Sequence, residues 1–224
     1  MAWTGADIPD QSGRTALITG ANSGLGLESV RALADRGARV VLACRSLAKA
    51  EAACRELAAE GGGELIALEL NLADLASVRH GAAQVAERCG AIDLLINNAG
   101  VMAPPRQLSA QGFELQFAVN HLGHFALTQQ LLPLLRPGAR VVHVSSGASY
   151  FGRIAFHDLQ GEQRYDAWAA YAQSKLANVM TALELQRRLD AQGAEVLSVS
   201  AHPGLARTNL QPTSVAARGS RVEA

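Results

Sequence analysis

Short apolar runs alternate with longer helical stretches along most of this 224-residue chain. Most of the runs are apolar throughout and lack the alternation of apolar and polar residues that a half-exposed strand shows. We therefore predict strands at residues 15–19, 38–44, 65–71, 92–100, 140–146 and 195–204, and helices at residues 25–36, 47–60, 75–89, 115–135 and 167–191.

Strands of this kind that alternate with helices favour right-handed βαβ units on a parallel sheet, with helices covering both faces. The sequence contains no internal repeat and no linker that would divide it. We predict one α/β domain over residues 1–210, a Rossmann-type doubly wound parallel sheet with three α/β/α layers. Residues 211–224 lack apolar periodicity, and we expect them to form a disordered tail.

Composition limits the class of function. Hydrophobic residues make up 49% of the chain and the formal net charge is zero, so neither a nucleic acid nor a membrane is expected as a partner. The segment "MAWTGADIPDQSGR" lacks the apolar core of a signal peptide, and no run of about 18 apolar residues could span a bilayer. The three cysteines lack metal-ligand spacing, so we expect reduced thiols and a cytoplasmic protein.

A glycine-rich turn, "TGANSGLG", follows the first predicted strand and precedes the first predicted helix. Its glycines would let the backbone approach a pyrophosphate, and the helix N-terminus would offer amides and a positive dipole end. The pattern G-x-x-x-G-x-G therefore predicts a dinucleotide site at Gly20, Ser23, Gly24, Leu25 and Gly26. The alternative is a turn whose glycines serve only packing.

The residue that selects the cofactor is expected at the end of the second strand. An acid there would bind the ribose 2′-hydroxyl of NAD, whereas a cation would accept the 2′-phosphate of NADP. The sequence has Cys44 followed by Arg45, whose guanidinium matches phosphate geometry. We predict NADP, with NAD possible; the alternative is that Arg45 is a solvated surface residue.

Tyr171 and Lys175 stand one turn apart in a predicted helix, so their side chains share a face. This spacing alone is common in helices. If the two groups are close, the ammonium favours the phenolate and lowers the pKa of Tyr171 toward neutral pH. The phenol could then work as an acid beside a nicotinamide that supplies the hydride.

Six motifs occur in one order along the chain: "TGANSGLG", "NNAG" (97–100), "VNHLGHF" (119–125), "VSS" (144–146), "YAQSK" (171–175) and "HPG" (202–204). Together they resemble the short-chain dehydrogenase/reductase family over residues 13–210, and most of all its retinol-dehydrogenase-like branch. The resemblance implies an NADP-dependent oxidoreductase acting on a carbonyl or an alcohol. A lipophilic substrate is expected because that branch handles retinoids and other lipophilic aldehydes or ketones. The family commonly pairs helices between subunits, so a homo-oligomer is also expected.

The resemblance also implies a role for each matching residue. Tyr171 would be the general acid–base, and Lys175 would lower its pKa and hold the nicotinamide ribose. Ser146, rather than Ser145, would orient the substrate, and Asn120 would hold a water that links the lysine to solvent. The remaining cofactor contacts would be Asn71, Leu72, Asn98, Ala99, Gly100, Pro203, Gly204, Leu205 and Thr208.

The residues alone leave alternatives for several of these positions. Asn120 could cap or bridge elements in the core, and Ser145 and Ser146 could simply end a strand. The remaining polar candidates are histidines without ligand spacing to acids or cysteines, and we interpret them as packing or surface residues: His121, His124 and His143.

The chain departs from the family in three places. Asn71 replaces the Asp of many relatives. The segment between Ser146 and Tyr171 is longer than the common pattern, although a longer one suits the retinol-dehydrogenase-like branch, and we expect its polar part, 151–166, to be a surface loop over the site. After residue 210 the sequence resembles none of the family's later elements, so we expect the final strand to be absent and the substrate pocket poorly enclosed. The alternative function is therefore a cofactor-binding sensor or scaffold with weak or no catalysis.

Overall fold

The computed structural model describes residues 4–204. In its sheet of six strands, every paired strand runs parallel to its neighbour. The strands are β1 (Thr15–Thr19), β2 (Arg39–Cys44), β3 (Leu65–Glu69), β4 (Ile92–Asn97), β5 (Leu135–Val144) and β6 (Leu197–Ala201). The helices are α1 (Gly24–Ala34), α2 (Leu47–Ala58), α3 (Leu75–Cys89), α4 (Leu115–Phe117), α5 (Gly123–Leu131) and α6 (Ala167–Ala191).

The strand order is β3-β2-β1-β4-β5-β6, which is the order of a doubly wound nucleotide-binding fold. The chain builds outward from β1 to β3 and then returns to place β4 on the other side of β1. At such a reversal the loops after the two central strands diverge and leave a crevice at their carboxyl ends. The predicted fold class is confirmed, and the crevice after β1 and β4 is where a ligand is expected.

Two clusters of buried apolar side chains fill the space between the sheet and its helices. The first lies between β1 and β2 and the helices α1 and α2, with Ile18 and Leu42 at its centre. The second packs beneath α3, α5 and α6 and includes Leu95 and Leu127. Each fully buried side chain of this kind contributes about 1.5–3 kcal/mol. Polar side chains are also buried on the α5 and α6 side, among them Asn97, His124, Thr128, His143 and Lys175.

Several strands end earlier than predicted. β4, β5 and β6 end at Asn97, Val144 and Ala201, so the motif residues that we placed at their ends lie in the following loops. β5, in contrast, begins at Leu135, where we predicted the end of a helix. Its pairing with β4 shifts between Ile92 and Leu94, which accommodates the "RPGA" segment as a bulge in the strand.

The helix predicted at 115–135 is interrupted. A π-helical turn, Ala118–Leu122, separates α4 from α5, and a 3-10 turn, Leu132–Leu134, closes the segment. The buried carboxylate of Glu114 caps α4 by accepting the amides of the two residues that follow its first position. π-helical turns are rare and frequently mark functional sites.

Some predictions lie outside the described residues. These are the tail at 211–224, the absence of a final strand, and the cofactor contacts Leu205 and Thr208. Within residues 4–204, no helix combines the length and the apolar character that crossing a bilayer requires.

Candidate active site

The described candidate residues follow the carboxyl ends of all six strands. The segments are Gly20–Gly26 after β1, Arg45 after β2, Asn71–Leu72 after β3, Asn98–Gly100 after β4, Ser145–Ser146 after β5 and Pro203–Gly204 after β6. Because the strands are parallel, these ends share one edge of the sheet. The sheet therefore brings motifs from the whole chain to a single rim.

The turn after β1 leaves no room for side chains at two of its glycines. Gly20 has a φ of +65°, and a Cβ there would lie 2.9 Å from the Cα of Ala99. A Cβ at Gly26 would lie 2.7 Å from the side-chain nitrogen of Asn98 and would also meet the carbonyl oxygen of Gly20. The glycines thus have a packing role, as the alternative interpretation required, and the same close packing keeps the turn free of side chains.

The N-terminus of α1 lies in this turn. The helix begins at Gly24, so Leu25 and the next glycine occupy its first turn. Ser23 is the N-cap residue, yet its hydroxyl accepts no capping hydrogen bond within the described part of the chain. The first amides of a helix have no partner inside it, so these amides are left for another acceptor.

The "NNAG" segment joins the glycine turn to the lysine of α6. The hydroxyl of Thr19 accepts the backbone amides of Asn98 and Ala99 at 2.9 and 3.0 Å. The Asn98 side chain returns a hydrogen bond to the Thr19 carbonyl at 2.9 Å. A Cβ at Gly100 would lie 3.5 Å from Nζ of Lys175. The segment therefore forms a wall with the glycine turn on one side and the lysine on the other.

Arg45 is exposed immediately after β2. It makes no hydrogen bond or ion pair with any residue between 4 and 204, unlike Arg39, which pairs with Glu64 at 2.7 Å. The preceding Cys44 is buried, and burial raises the pKa of its thiol. No acidic side chain occupies the end of β2, and the guanidinium is available to an anion.

Asn71 and Leu72 follow β3. The Asn71 side-chain oxygen accepts the amide of Ala73 at 3.1 Å, so the amide group supports its own turn. Leu72 is buried in the second apolar cluster, and its carbonyl lies 2.5 Å from where a Cβ of Gly123 would be. The side chain of Leu72 belongs to the core, which leaves its backbone for any cofactor contact.

Tyr171 and Lys175 are both buried on α6, with 5% and 3% of their surface exposed. Nζ of Lys175 lies 5.8 Å from the centroid of the Tyr171 ring and donates a hydrogen bond to the Val144 carbonyl at 3.0 Å. Trp168 meets the tyrosine ring edge-on, with 6.1 Å between the centroids. The predicted pair is therefore together at the rim, at the carboxyl end of β5.

The protonation of this pair differs from our expectation. Burial lowers the pKa of Lys175 to about 8. Burial also raises the pKa of Tyr171, and the Ser146 side chain opposes this with a hydrogen bond that lowers it. For the described residues by themselves, the pKa of Tyr171 therefore lies above its ordinary value and not below it as we expected, because desolvation of the phenolate outweighs the hydrogen bond from Ser146.

The two serines after β5 have different partners. Ser145 is buried, and its hydroxyl donates to the Lys175 carbonyl at 2.9 Å, which ties β5 to α6. Ser146 caps the 3-10 turn Gly147–Phe151 by accepting the Ala148 amide at 3.2 Å, and it also interacts with the phenol of Tyr171. Of the two serines, Ser146 is the one beside the tyrosine.

Asn120 is fully buried in the π-helical turn, and its side chain is saturated with hydrogen bonds. It accepts the Val101 amide at 2.8 Å and donates to the Val101 carbonyl at 3.0 Å. It also donates to the hydroxyl of Ser174 at 2.9 Å, and that hydroxyl donates to the Tyr171 carbonyl at 2.7 Å. Asn120 therefore bridges the "NNAG" loop to α6, as the structural interpretation of this residue predicts.

The "HPG" segment lies at the same rim. Pro203 and Gly204 are exposed, and the Gly204 amide donates to Nδ1 of His202 at 3.3 Å. The other ring nitrogen of His202 is 3.4 Å from where a Cβ of Gly147 would lie. These residues are thus next to the turn that begins at Ser146.

The polar segment 151–166 is held in place by hydrogen bonds to side chains at α4 and on α6. The hydroxyl of Tyr165 lies 3.1 Å from a carboxylate oxygen of Glu114 and accepts the Gln116 side-chain amide at 3.0 Å. Gln173 of α6 accepts the amide of residue 155 and donates to the carbonyl of residue 159. Burial and the Glu114 carboxylate raise the pKa of Tyr165 to about 12. The excursion is a tethered wall beside the site.

These motif residues on one rim coincide with a match to a known family. The model of the short chain dehydrogenase family matches residues 14–219. The chain belongs to this family. Retinol dehydrogenase 11 of Mus musculus is 47% identical over 201 residues, which cover 88% of this chain and 63% of that protein. The chain therefore spans less than two-thirds of the length of that relative, and the resemblance to the retinol-dehydrogenase-like branch is confirmed.

Solved structures agree with the fold of a short chain dehydrogenase. A protein of uncharacterised function from Mycobacterium Paratuberculosis is 49% identical with a TM-score of 0.84, and the match covers 98% of this chain and 79% of that one. The NADP complex of RhlG from Pseudomonas aeruginosa is 27% identical with a TM-score of 0.70, covering 88% of this chain and 75% of that one.

Sequence reasoning missed several residues of the candidate site. Ser174 and Asn178 contact the site from α6, where they share a face with the predicted pair at helical spacings of three and four residues. That spacing could have identified them. Thr19 and His124 are 105 residues apart and only 2.8 Å separates their side-chain atoms, so no local signal could have paired them.

Proposed function

We propose that this chain is an NADP-dependent oxidoreductase that interconverts a lipophilic carbonyl compound and the corresponding alcohol. The observation that carries the proposal is the buried pair Tyr171 and Lys175, placed beside Ser146 at the rim that also holds the glycine turn. A buried acid and a buried base next to an open backbone cradle are what proton transfer beside a nicotinamide needs.

The residues present fit a dinucleotide. The turn at Gly20 and Gly26 is free of side chains, and the first amides of α1 have no side-chain cap, which suits a pyrophosphate. Arg45 is exposed and has no ionic partner within residues 4–204, which suits a 2′-phosphate. Asn98, Ala99 and the backbones after β3 and β6 would complete the contacts along the rim. These features support NADP, with NAD as the alternative.

A bound nicotinamide supplies the hydride for reduction and accepts it in the reverse direction. In reduction, Tyr171 would give the proton of its hydroxyl to the carbonyl oxygen, so that an alcohol O–H bond forms and the phenolate remains until solvent returns a proton. Ser146 would hold the carbonyl oxygen beside the phenol. Lys175 would stabilise the phenolate by its charge and orient the nicotinamide ribose, while Asn120 would fix the loop that contacts both.

The raised pKa of Tyr171 gives the two directions opposite pH requirements. At neutral pH the phenol is protonated, which is the form that donates during reduction. Alcohol oxidation needs the phenolate, whose population rises with pH toward the raised pKa, so the rate of oxidation should increase with pH, less steeply above about pH 8, where Lys175 loses the charge that stabilises the phenolate. The added positive charge of an oxidised nicotinamide would ease that ionisation.

A lipophilic substrate is supported by an aromatic side chain next to the phenol. Trp168, half exposed, contacts the Tyr171 ring edge-on and offers an apolar surface beside the phenol. The name of the mouse relative is retinol dehydrogenase, so retinal belongs in a substrate panel with aliphatic aldehydes of increasing length.

The test is NADPH oxidation with that panel, comparing the wild type with Tyr171→Phe. We expect turnover in the wild type and a loss of about 10²–10⁴-fold in kcat without the proton donor, while NADPH binding measured by fluorescence is retained. Tyr150→Phe, at a ring that is 87% exposed, is the matched control and should retain full activity. Equal turnover in Tyr171→Phe would contradict the mechanism, and cofactor binding without turnover in any variant would favour the sensor.

The cellular location and the oligomeric state are also proposals. A cytoplasmic location is supported by the three cysteines, which are all free thiols. A homo-oligomer is supported by exposed apolar side chains on α5 and α6, namely Phe125, Met180 and Leu183. Fractionation of cells that express the protein and light scattering of the purified protein test these two statements.

A further inference from the structure

His124 is buried at the start of α5, with 1% of its surface exposed. Its Nδ1 lies 3.0 Å from the backbone oxygen of Asn120 in the preceding π-helical turn. A carbonyl oxygen can only accept a hydrogen bond, so the imidazole hydrogen is on Nδ1. The ring thus gives a side-chain donor to the backbone of the turn that carries Asn120.

The other ring nitrogen makes an equally specific contact. Nε2 lies 2.8 Å from the hydroxyl oxygen of Thr19. Since Nδ1 of a neutral ring carries the hydrogen, Nε2 accepts and the Thr19 hydroxyl donates. The Ile96 carbonyl, at 3.5 Å from the same hydroxyl, is a much weaker acceptor.

The hydrogen bonds form a continuous series across the site. The amides of Asn98 and Ala99 donate to the Thr19 oxygen, the Thr19 hydroxyl donates to His124, and His124 donates to the Asn120 carbonyl. All of these side-chain polar atoms are used, and the direction of each bond is fixed by the next. A neutral imidazole has one donor and one acceptor, whereas a charged one has two donors, and burial keeps the ring neutral by lowering the pKa of His124 to about 3.

We propose that His124 is a positioning residue, which holds the turn that carries Asn120 in register with the "NNAG" wall. The expected effect of His124 variants on kcat rests on the proposed function, whereas the structural role of His124 does not. The wall packs against Gly20 on one side, and Asn120 bonds to Val101 and Ser174 on the other. His124 therefore joins the cradle proposed for the cofactor to the helix that carries the proposed acid.

One variant that keeps a single nitrogen and one that keeps none separate the two contacts. The amide nitrogen of His124→Asn can replace Nδ1 and donate to the Asn120 carbonyl, but it does not reach Thr19. His124→Phe keeps the ring shape and removes both contacts. His143→Phe is the comparison variant, because His143 is also a buried histidine with 1% exposure, and its hydrogen bond, 3.4 Å to Asn97 at the end of β4, reaches neither Thr19 nor Asn120.

We expect His124→Phe to lower kcat by at least about tenfold and to weaken NADPH binding, whereas His124→Asn, which keeps the bond to the Asn120 carbonyl and loses the bond to Thr19, recovers only part of kcat. His143→Phe should lose less stability, because the contact that it removes is longer and weaker, and it should retain kcat. Combining His124→Phe with Thr19→Val should weaken NADPH binding by less than the product of the single effects, because both break one series of bonds. Equal kcat and NADPH affinity in His124→Phe and His143→Phe would overturn the proposal and leave only packing.

Two readouts are independent of catalysis. If the wild type binds NADPH without turnover, the proposed function fails, and the double-mutant cycle on binding still decides the role of His124. If the phenylalanine variants do not fold, nitrogen NMR of the wild-type imidazole decides it. A neutral ring with hydrogen on Nδ1 is expected across pH 5–9, and a ring with hydrogen on Nε2 or with a positive charge would overturn the proposal.

Discussion

The glycine turn after β1 and the cluster beneath α6 meet at the same rim and are built in opposite ways. The turn relies on backbone: Gly20 and Gly26 lie where any Cβ would meet a neighbour, and few side chains are involved. The polar cluster at α6 relies on buried side chains: Asn120 donates to the hydroxyl of Ser174, and Lys175 donates to the Val144 carbonyl of β5. The turn depends on positions without a Cβ atom, whereas the polar cluster depends on buried polar atoms that all need hydrogen-bond partners.

This difference predicts different sensitivities. A backbone cradle should fail when a single methyl group is added, and it should tolerate polar changes nearby. A buried polar cluster should fail when one partner is removed, since the remaining group is left without a hydrogen bond in a low-dielectric site. Burying the charge of Lys175 also opposes folding, so the free energy of unfolding should depend on pH.

The largest expected effect is on turnover when the buried cation is removed. Lys175→Met keeps the length of the side chain and leaves the Val144 carbonyl with a second donor, Asn178, at 3.3 Å. We expect kcat to fall by about 10²–10⁴-fold, because the phenolate of Tyr171 loses its neighbouring charge. Steady-state NADPH oxidation measures this. Lys49→Met, at an exposed lysine of α2, is the control, and full activity in Lys175→Met would show that the cluster needs no cation.

The same substitution tests the pH dependence of stability. The pKa of Lys175 is about 8 when folded, below its ordinary 10.5, so between these values the unfolded chain binds more protons and wild-type stability rises with pH. Denaturant titrations of wild type and Lys175→Met should show a difference in unfolding free energy that shifts toward the wild type by about 2–3 kcal/mol from pH 7 to pH 10. A difference that is independent of pH would mean that burial does not oppose the charge.

The next largest effect should come from one methyl group in the turn. Gly26→Ala places a Cβ 2.7 Å from the Asn98 side chain and against the Gly20 carbonyl, so the turn must open. We expect NADPH to bind about 100-fold more weakly, with a smaller loss of thermal stability. Gly5→Ala has nothing within 4 Å of the new methyl group and should bind NADPH normally. Normal NADPH affinity in Gly26→Ala would show that the glycine turn does not bind the cofactor.

Cofactor selection should show a smaller effect. Arg45→Ala removes the exposed guanidinium after β2, and we expect the affinity for NADP to fall about tenfold while that for NAD is unchanged. Calorimetric titration of both cofactors measures this, with Lys49→Ala as a control for the loss of a nearby positive charge. An equal loss for the two cofactors would assign Arg45 to the surface and not to a phosphate.

The backbone region was predictable from sequence and most of the polar cluster was not. The glycine pattern is local, so its strand, turn and helix could be predicted together, and parallel strands then place the loops on one rim. Tyr171 and Lys175 were also local, at one helical turn. The pKa of the phenol is raised and not lowered in the described residues, because burial, which sequence does not show, outweighs the hydrogen bond from Ser146. His124 gained its role only when the fold brought β1 against α5.

The smallest expected effect is on the unfolding free energy of Tyr165→Phe, which tests whether segment 151–166 is fixed beside the site or moves during substrate binding. Tyr165→Phe removes the hydroxyl that contacts Glu114 and Gln116, but the Glu114 carboxylate keeps its bonds to the amides of α4. The unfolding free energy should therefore fall by only about 1 kcal/mol in denaturant titrations. Tyr150→Phe, at an exposed ring, should cause no change. If Tyr165→Phe instead leaves stability intact and raises the KM for aldehyde, the hydroxyl acts on substrate access, and the segment belongs with the moving parts of the site.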